Sequence, residues 1–355
     1  MPDIGDRCPI SAIGIASCIG EVLVTRRQMS TELTSRQRVQ CVLNGETPDR
    51  VPFNFWMDRD KMAEYDRKWG ADFRITHYGA DVVEAFIGLP WWAELPMQTL
   101  DDGKTVWQTA PLVESIKDAL VLQMPDPANP EVYSSIEAAR RSYPDKAIFA
   151  MLAAPLNNLE PLRMIENLYL DIYDHTDVIR ELLDRMKPIM IESAKRACAM
   201  DIDVLYLAGD ICSRDGAMVS PRHLRDLHFE YMKEIIDIAH EAGKKVFYHS
   251  DGLLMPVLDL YMEYGIDGCN PLEPRYNDHQ EFLHRTGGRM MLYGGLDNCS
   301  IIPDGSVDDI RAHVRSQFET FGTTSGLIFS SHDIPGHCPQ ENLDAMVGEI
   351  RSCIY

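Results

Sequence analysis

From Thr34 onward, short apolar runs alternate with stretches whose apolar residues recur at helical spacing. The runs are Val51–Trp56, Asp81–Phe86, Ala147–Ala153, Val204–Ala208, Lys245–His249, Gly268–Pro271, Met290–Gly294 and Leu327–Ser330. Their length, their β-branched and aromatic content and the turn residues around them predict strands. Helices are predicted over 34–43, 60–69, 176–200, 256–264, 278–286, 307–321 and 340–352. Another opens at Ser220-Pro221, a side-chain cap followed by proline at the first helical position, and runs to Ala242-Gly243. Residues 88–135 break the rhythm. Pro90, Trp91, Trp92, Pro96 and the Pro125–Pro127 turn predict an insertion or hairpin over one end of the fold.

Continuous apolar strands separated by helices imply a parallel sheet buried on both faces. Eight such units close into a barrel, so the predicted class is α/β, a single (β/α)8 TIM barrel with an N-terminal helical extension. An open, doubly wound sheet is the alternative. Against it, no Gly-x-Gly-x-x-Gly follows the first strand, and no phosphate loop is present. Residues 1–28 are predicted to lie outside the fold and 29–355 to form the barrel. Ile10–Val24 is mildly apolar with Arg26 and Arg27 after it, the reverse of a signal peptide's charge order.

Composition adds exclusions. With 45% hydrophobic and 25% charged residues the chain can bury a large core. A net charge of -21 repels phosphate backbones and anionic lipid, so neither nucleic acid nor membrane is an expected partner. A small molecule or a complementary protein surface is. The nine cysteines are scattered and show no CxxC pair, which predicts free thiols and a cytoplasmic setting.

In a barrel, chemistry gathers where strands exit into their following loops. The first exit carries Asn54, Trp56 and Asp58; the third is followed by Glu160, and the fourth ends in Asp210. The fifth reads His249-Ser250-Asp251-Gly252. The sixth offers Asn270 and Glu273; the seventh has Tyr293, Asp297 and Asn298; the eighth has His332 and Asp333, then His337 and Cys338. Imidazoles and carboxylates crowded at one end can hold a metal or exchange protons with a substrate. His249 and Asp251, two residues apart, can present two ligands to one centre. With His332 they are the candidate metal set, and with Asp210 the candidate catalytic set. Asn54, Trp56, Glu160, Asn270, Glu273, Tyr293, Asp297 and Asp333 are candidate substrate contacts, and Cys338 a further candidate ligand. Each also has a structural reading. Asp210 suits a turn cap, the His-Ser-Asp-Gly stretch a polar turn with Gly252 at positive φ, and Cys338 and Cys212 small buried hydrophobes. No Gly-x-Ser-x-Gly supports serine-hydrolase chemistry.

Four stretches resemble the uroporphyrinogen decarboxylase superfamily, including its corrinoid-dependent methyltransferase branch. They are RQRVQCVLNGETPDRVPFNF (Arg36–Phe55), GDICSRDGAMVSP (Gly209–Pro221), FYHSDGLLMPVLDLYMEYGIDGCNPLEP (Phe247–Pro274), and GGLD (Gly294–Asp297) with SSHDIPGHCPQENLDAM (Ser330–Met346). The arginine-bearing motif by which the decarboxylase grips its porphyrinogen is missing from Asn54–Arg59, so that reaction is not expected here. The resemblance implies zinc held through a His-x-Cys motif and a later Cys. His249 matches the histidine; Asp251 and His332 stand at the two cysteine positions. This harder donor set suits a metal acting on an oxygen or nitrogen leaving group. The implied activity is methyl transfer between a small methylated substrate, of methoxy or methylamine type, and a corrinoid supplied by a partner protein. The alternatives are a metal-independent decarboxylase or lyase on a small carboxylic acid, with His249 or His332 as proton donor and Asp251 fixing its tautomer, and a barrel that only binds a small ligand.

Overall fold

The structure, a computed structural model, describes residues 32–88, 97–99, 106–322 and 326–355. Residues 1–28 and the Pro90–Pro96 stretch fall outside these. Leu33–Tyr355 form one compact unit. Seven strands lie side by side in chain order, every neighbouring pair parallel: β1 (Val82–Phe86), β2 (Ala147–Ala153), β3 (Val204–Ala208), β4 (Lys245–His249), β5 (Gly268–Asn270), β6 (Met291–Gly295) and β7 (Leu327–Ser330). This is the curled parallel sheet of a (β/α)8 barrel.

The eighth place belongs to residues 51–57, of which Val51–Trp56 are predicted as a strand. They form two separate bridges, Phe53 to Phe329 and Met57 to Ile334. Phe329 N–H donates to the Pro52 carbonyl, Asn54 N–H to that of Phe329, Trp56 N–H to that of Ser331 and Ile334 N–H to that of Trp56. On the other side Asp81 N–H donates to the Phe53 carbonyl at 2.7 Å, so these residues bridge β7 and the start of β1. The two bridges do not join into one continuous ladder. Pro52 has no N–H, and the Phe53 N–H is taken by the Asp81 carboxylate at 3.0 Å. In the 88–135 insertion, Met97–Thr99 and Val106–Gln108 pair antiparallel, as a hairpin requires.

Side chains alternate across each strand. One phase puts Val82, Phe149, Tyr206, Phe247, Tyr293 and Ile328 into a common interior cluster. Phe149 meets Phe247 and Tyr293 edge-on, with centroids 5.5 and 5.1 Å away. The helix Ser35–Leu43 packs Val39, Val42 and Leu43 against this cluster. Its start is held by a capping box in which Thr34 and Gln37 exchange hydrogen bonds. The other phase packs on the surrounding helices in a larger cluster. The helix opening at Pro221 after the Ser220 cap contains a π turn, Arg225–Phe229, which carries the fully buried His228, its Nε2 2.7 Å from Tyr248 Oη.

Carboxylates at the N-terminal ends of three strands serve the fold. Asp81, Asp203 and Asp267 each precede a strand and accept a backbone N–H from the neighbouring segment, at Phe53, Ile148 and Val246. Each also meets cations: Arg38 and Arg50 at Asp81, Arg36 and Arg140 at Asp203, and Lys245 at Asp267, where His240 Nε2 also lies 2.7 Å away. Acids are thus needed at this end to pin strand starts.

Candidate functional site

The interior phase continues up the strands. Beyond Val82 it reaches Glu84 and Phe86; beyond Phe149, Met151; beyond Phe247, His249. These residues, with Trp56, Tyr206, Asn270, Ser331, His332 and Asp333, line a cavity of about 220 Å3 at the C-terminal ends of the strands. His249 and His332 belong to its wall, and together with Asp251 they present ligand-type atoms that all lie within 4.8 Å of one another.

His249 closes β4. Its Nδ1 is 2.7 Å from Asn270 Oδ1. Asn270 Nδ2 donates to the Tyr293 carbonyl at 2.5 Å, which leaves Oδ1 as the acceptor, and Tyr206 Oη donates to that same oxygen at 2.6 Å. The proton of a neutral His249 therefore sits on Nδ1, and Nε2 turns a lone pair toward Asp210 at 3.6 Å and Asp251 at 4.0 Å. For His249 the tautomer is set by Asn270; Asp251 takes that place for His332, with Oδ2 3.2 Å from its Nδ1.

Asp251 sits in a loop held from three sides. Its N–H donates to Asp210 Oδ1 at 2.9 Å, and the next N–H, of Gly252, donates to Glu273 Oε2 at 2.7 Å. Ser250 Oγ accepts from Ile211 and Cys212 N–H. Gly252 has φ of 87°, and a Cβ there would fall 2.5 Å from the Ser213 carbonyl, so no other residue fits this turn. Asp251 Oδ2 is 3.2 Å from His332 Nδ1. Burial pushes the Asp251 carboxyl up, but the His332 hydrogen bond and the neighbouring imidazole rings hold it below the ordinary range. Burial works against the His332 imidazolium, yet Asp251 outweighs it and the ring is pushed up to about 9. Asp251 Oδ1 is buried without a hydrogen-bond partner among the described residues. An unpartnered anionic oxygen facing two imidazoles is what a cation or a proton-bearing ligand would satisfy.

The other candidates divide. Trp56, Asn270 and Asp333 line the cavity. Asn54 and Tyr293 lie deeper: Asn54 Nδ2 donates to Tyr293 Oη at 2.9 Å, and Tyr293 donates to Glu84 Oε1 at 2.5 Å. Glu273, predicted as a substrate contact, is engaged by Gly252 N–H and positions the Asp251 loop instead; burial raises its carboxyl. Asp297 is corrected to a cap. Its Oδ1 accepts from Cys299 and Ser300 N–H at 3.0 and 2.8 Å, and it does not line the cavity. Glu160 begins a short helix and is likewise not in the cavity wall. Cys338 is buried with Sγ 3.6 Å from the Ile302 carbonyl, outside the His-Asp-His group, and burial pushes its thiol up to about 11.

Glu84 escaped sequence reasoning. It accepts from Trp56 Nε1 at 2.8 Å and from Tyr293 Oη, and its carboxylate enters the cavity. The signal was available: a lone acid in Val82-Val-Glu-Ala-Phe86, in the pleat phase of the barrel interior. Ser331, whose buried Oγ has no partner among the described residues, and Tyr206 were also missed. A tyrosine in an apolar run carries no such signal.

The uroporphyrinogen decarboxylase (URO-D) family model matches residues 93–353. The chain belongs to the URO-D family. The match begins after Arg36–Phe55, whose Arg36 and Arg38 are engaged at the opposite end of the barrel from the cavity. Among solved structures, a methyltransferase from Methanosarcina mazei aligns with this URO-D family member at a TM-score of 0.70 and 19% identity, covering 90% of this chain and 99% of that one. A sugar phosphate isomerase/epimerase from Parabacteroides distasonis aligns at a TM-score of 0.41 and 10% identity, over 87% and 96% of the two chains. A sequence search of curated proteins finds no match. Among the described residues, no helix is long and apolar enough to cross a membrane.

Proposed function

We propose that this URO-D family member is a metal-assisted methyltransferase, moving a methyl group between a small methylated substrate and a corrinoid carried by a separate protein. The observation that carries the reading is that His249, Asp251 and His332 each offer a ligand atom within 4.8 Å of the others, beside the cavity that the two histidines line, and that Asp251 Oδ1 is unpartnered among the described residues. Two imidazoles and a carboxylate with room beside them fit a zinc site that keeps a position open. Bound there, zinc supplies Lewis acidity toward the oxygen or nitrogen that gives up the methyl group. The Methanosarcina mazei methyltransferase of like fold supports the reaction class.

The chain's own residues do the positioning. Asn270 holds His249 in the tautomer that frees Nε2, and Tyr206 fixes Asn270 in turn. Asp210 and Glu273 hold the Asp251 backbone. Glu84, steadied by Trp56 and Tyr293, and Asp333 make the cavity acidic, and no Lys or Arg lines it among the described residues. A substrate with many carboxylates would find no counter-charge, which speaks against porphyrinogens. An Asn270→Ala variant is expected to bind zinc about 10- to 100-fold more weakly, read by chelator competition. Undiminished affinity would remove Asn270 from the account.

The His332–Asp251 ion pair favours a second reading, a metal-free site in which His332 gives a proton to a small carboxylic acid. The acidic lining disfavours that substrate class. One experiment separates the two: methyl transfer to free or protein-bound corrinoid, followed by absorbance, before and after chelation. Turnover lost to a chelator and restored by zinc is the expected result. Full turnover after chelation moves the assignment to acid–base chemistry, and no transfer from any methyl donor contradicts the proposal.

A further inference from the structure

Beside the metal cavity lies a larger one, about 470 Å3, walled by Phe86, Ile87, Met151, Ala153 and Ala208, with Asn158. The two cavities share Phe86, Met151 and Ala208. The annex therefore opens on the strand ends that carry the acidic site, but its own lining is apolar except for Asn158. Phe86 is 52% exposed, unusual for a large apolar side chain, and it lines both cavities. Such a surface gains by burial against an apolar ligand.

Size decides what that ligand is. An apolar cavity of about 150 Å3 already holds benzene. Methanol or methylamine would satisfy the metal cavity and leave the annex wall uncovered. Charge narrows the choice further. No Lys or Arg lines either cavity among the described residues, whereas Glu84 and Asp333 line the first. A carboxylate on the ligand would be repelled, and a cation would lose its water against an apolar wall. Asn158 adds one polar side chain to the annex wall. It is 2% exposed, and its Nδ2 donates to the Ala153 and Ala154 carbonyls at 2.8 and 3.1 Å. Its Oδ1 is buried with no partner among the described residues.

We propose that the annex is a substrate subsite that takes the ring of an uncharged aryl methyl ether, its methoxy group directed toward His249, Asp251 and His332. The fate of the methoxy group rests on the methyl-transfer reading; the subsite does not. The test is equilibrium binding to the full chain by calorimetry, with metal content measured separately on the same sample. The probe 2-methoxyphenol is expected to bind at one saturable site, at least tenfold more tightly than 4-methoxybenzoate or tetramethylammonium. Ala153→Phe, which fills the annex, is expected to weaken it tenfold or more. No saturable binding of 2-methoxyphenol overturns the proposal, as does equal or tighter binding of the anion or the cation. The ligand comparison on the wild type decides even if Ala153→Phe does not fold. Ring binding that survives chelation, without methyl transfer, upholds the subsite while the methyl-transfer reading falls.

Discussion

An Asp251→Ala protein loses its hold on the His332 proton. In the wild type, burial disfavours the imidazolium, and Asp251 Oδ2, 3.2 Å from Nδ1, more than offsets it, so the ring is pushed up to about 9. Asp333 is farther, at 4.0 Å. With Asp251 gone the burial remains and most of the compensation does not, so the titration should fall to or below the ordinary value of 6.5. The same substitution removes one of three candidate ligands, and zinc affinity should drop at least about 100-fold. Histidine-ring NMR through a pH series reads the first effect and chelator competition the second. A His332 titration that does not move would mean that the pair is not formed in solution. The pair also links pH to stability. Because the folded state holds the His332 proton more tightly than the unfolded one, its contribution is complete below pH 6.5 and is lost as pH rises through about 9. At the acid end, protonating the depressed Asp251 carboxyl removes it again.

The largest effect on the fold is expected at Asp81. Its side chain is fully buried and accepts from Arg38, Arg50 and the Phe53 N–H. Arg38 is itself 2% exposed and also pairs with Asp49. These bonds tie the Ser35–Leu43 helix and the 51–57 segment to the start of β1, where the barrel closes. Asp81→Ala leaves two guanidinium groups short of a partner in a buried place, at a cost of about 3–5 kcal/mol. Glu64→Gln is the contrast, since it breaks an exposed pair with Lys61 worth under about 1 kcal/mol. Denaturant unfolding of the two variants beside the wild type measures the difference. Equal midpoints for Asp81→Ala and wild type would show that barrel closure does not depend on this network.

Most of the barrel was legible because its strands are short continuous apolar runs with abrupt ends. Ala147–Ala153, Val204–Ala208, Lys245–His249 and Leu327–Ser330 form strands over the predicted limits. Val51–Trp56 has the same composition but pairs with β7 and its exit through separate bridges rather than one continuous ladder, and the Asp81 carboxylate takes the Phe53 N–H. At the mouth, the strand-exit rule brought His249, Asp251, His332 and Asp210 together. It could not separate an acid that faces the cavity from one that holds a loop. Asp297 and Glu273 carry the same signal as Asp251, yet backbone N–H groups claim them. The rule also looks past the strand and so misses residues within it. Glu84 is such a residue, reached only when the interior phase of β1 is followed one step beyond Val82.

One metal bound by three side chains, His249, Asp251 and His332, is the centre of the proposed function. Metal content of the purified wild type, prepared without chelators, beside His249→Ala and His332→Ala, tests it most directly. One zinc per chain, absent from both variants while their folds persist, is the predicted result. A wild type that takes up no metal when zinc is offered, or variants that keep theirs, would contradict it.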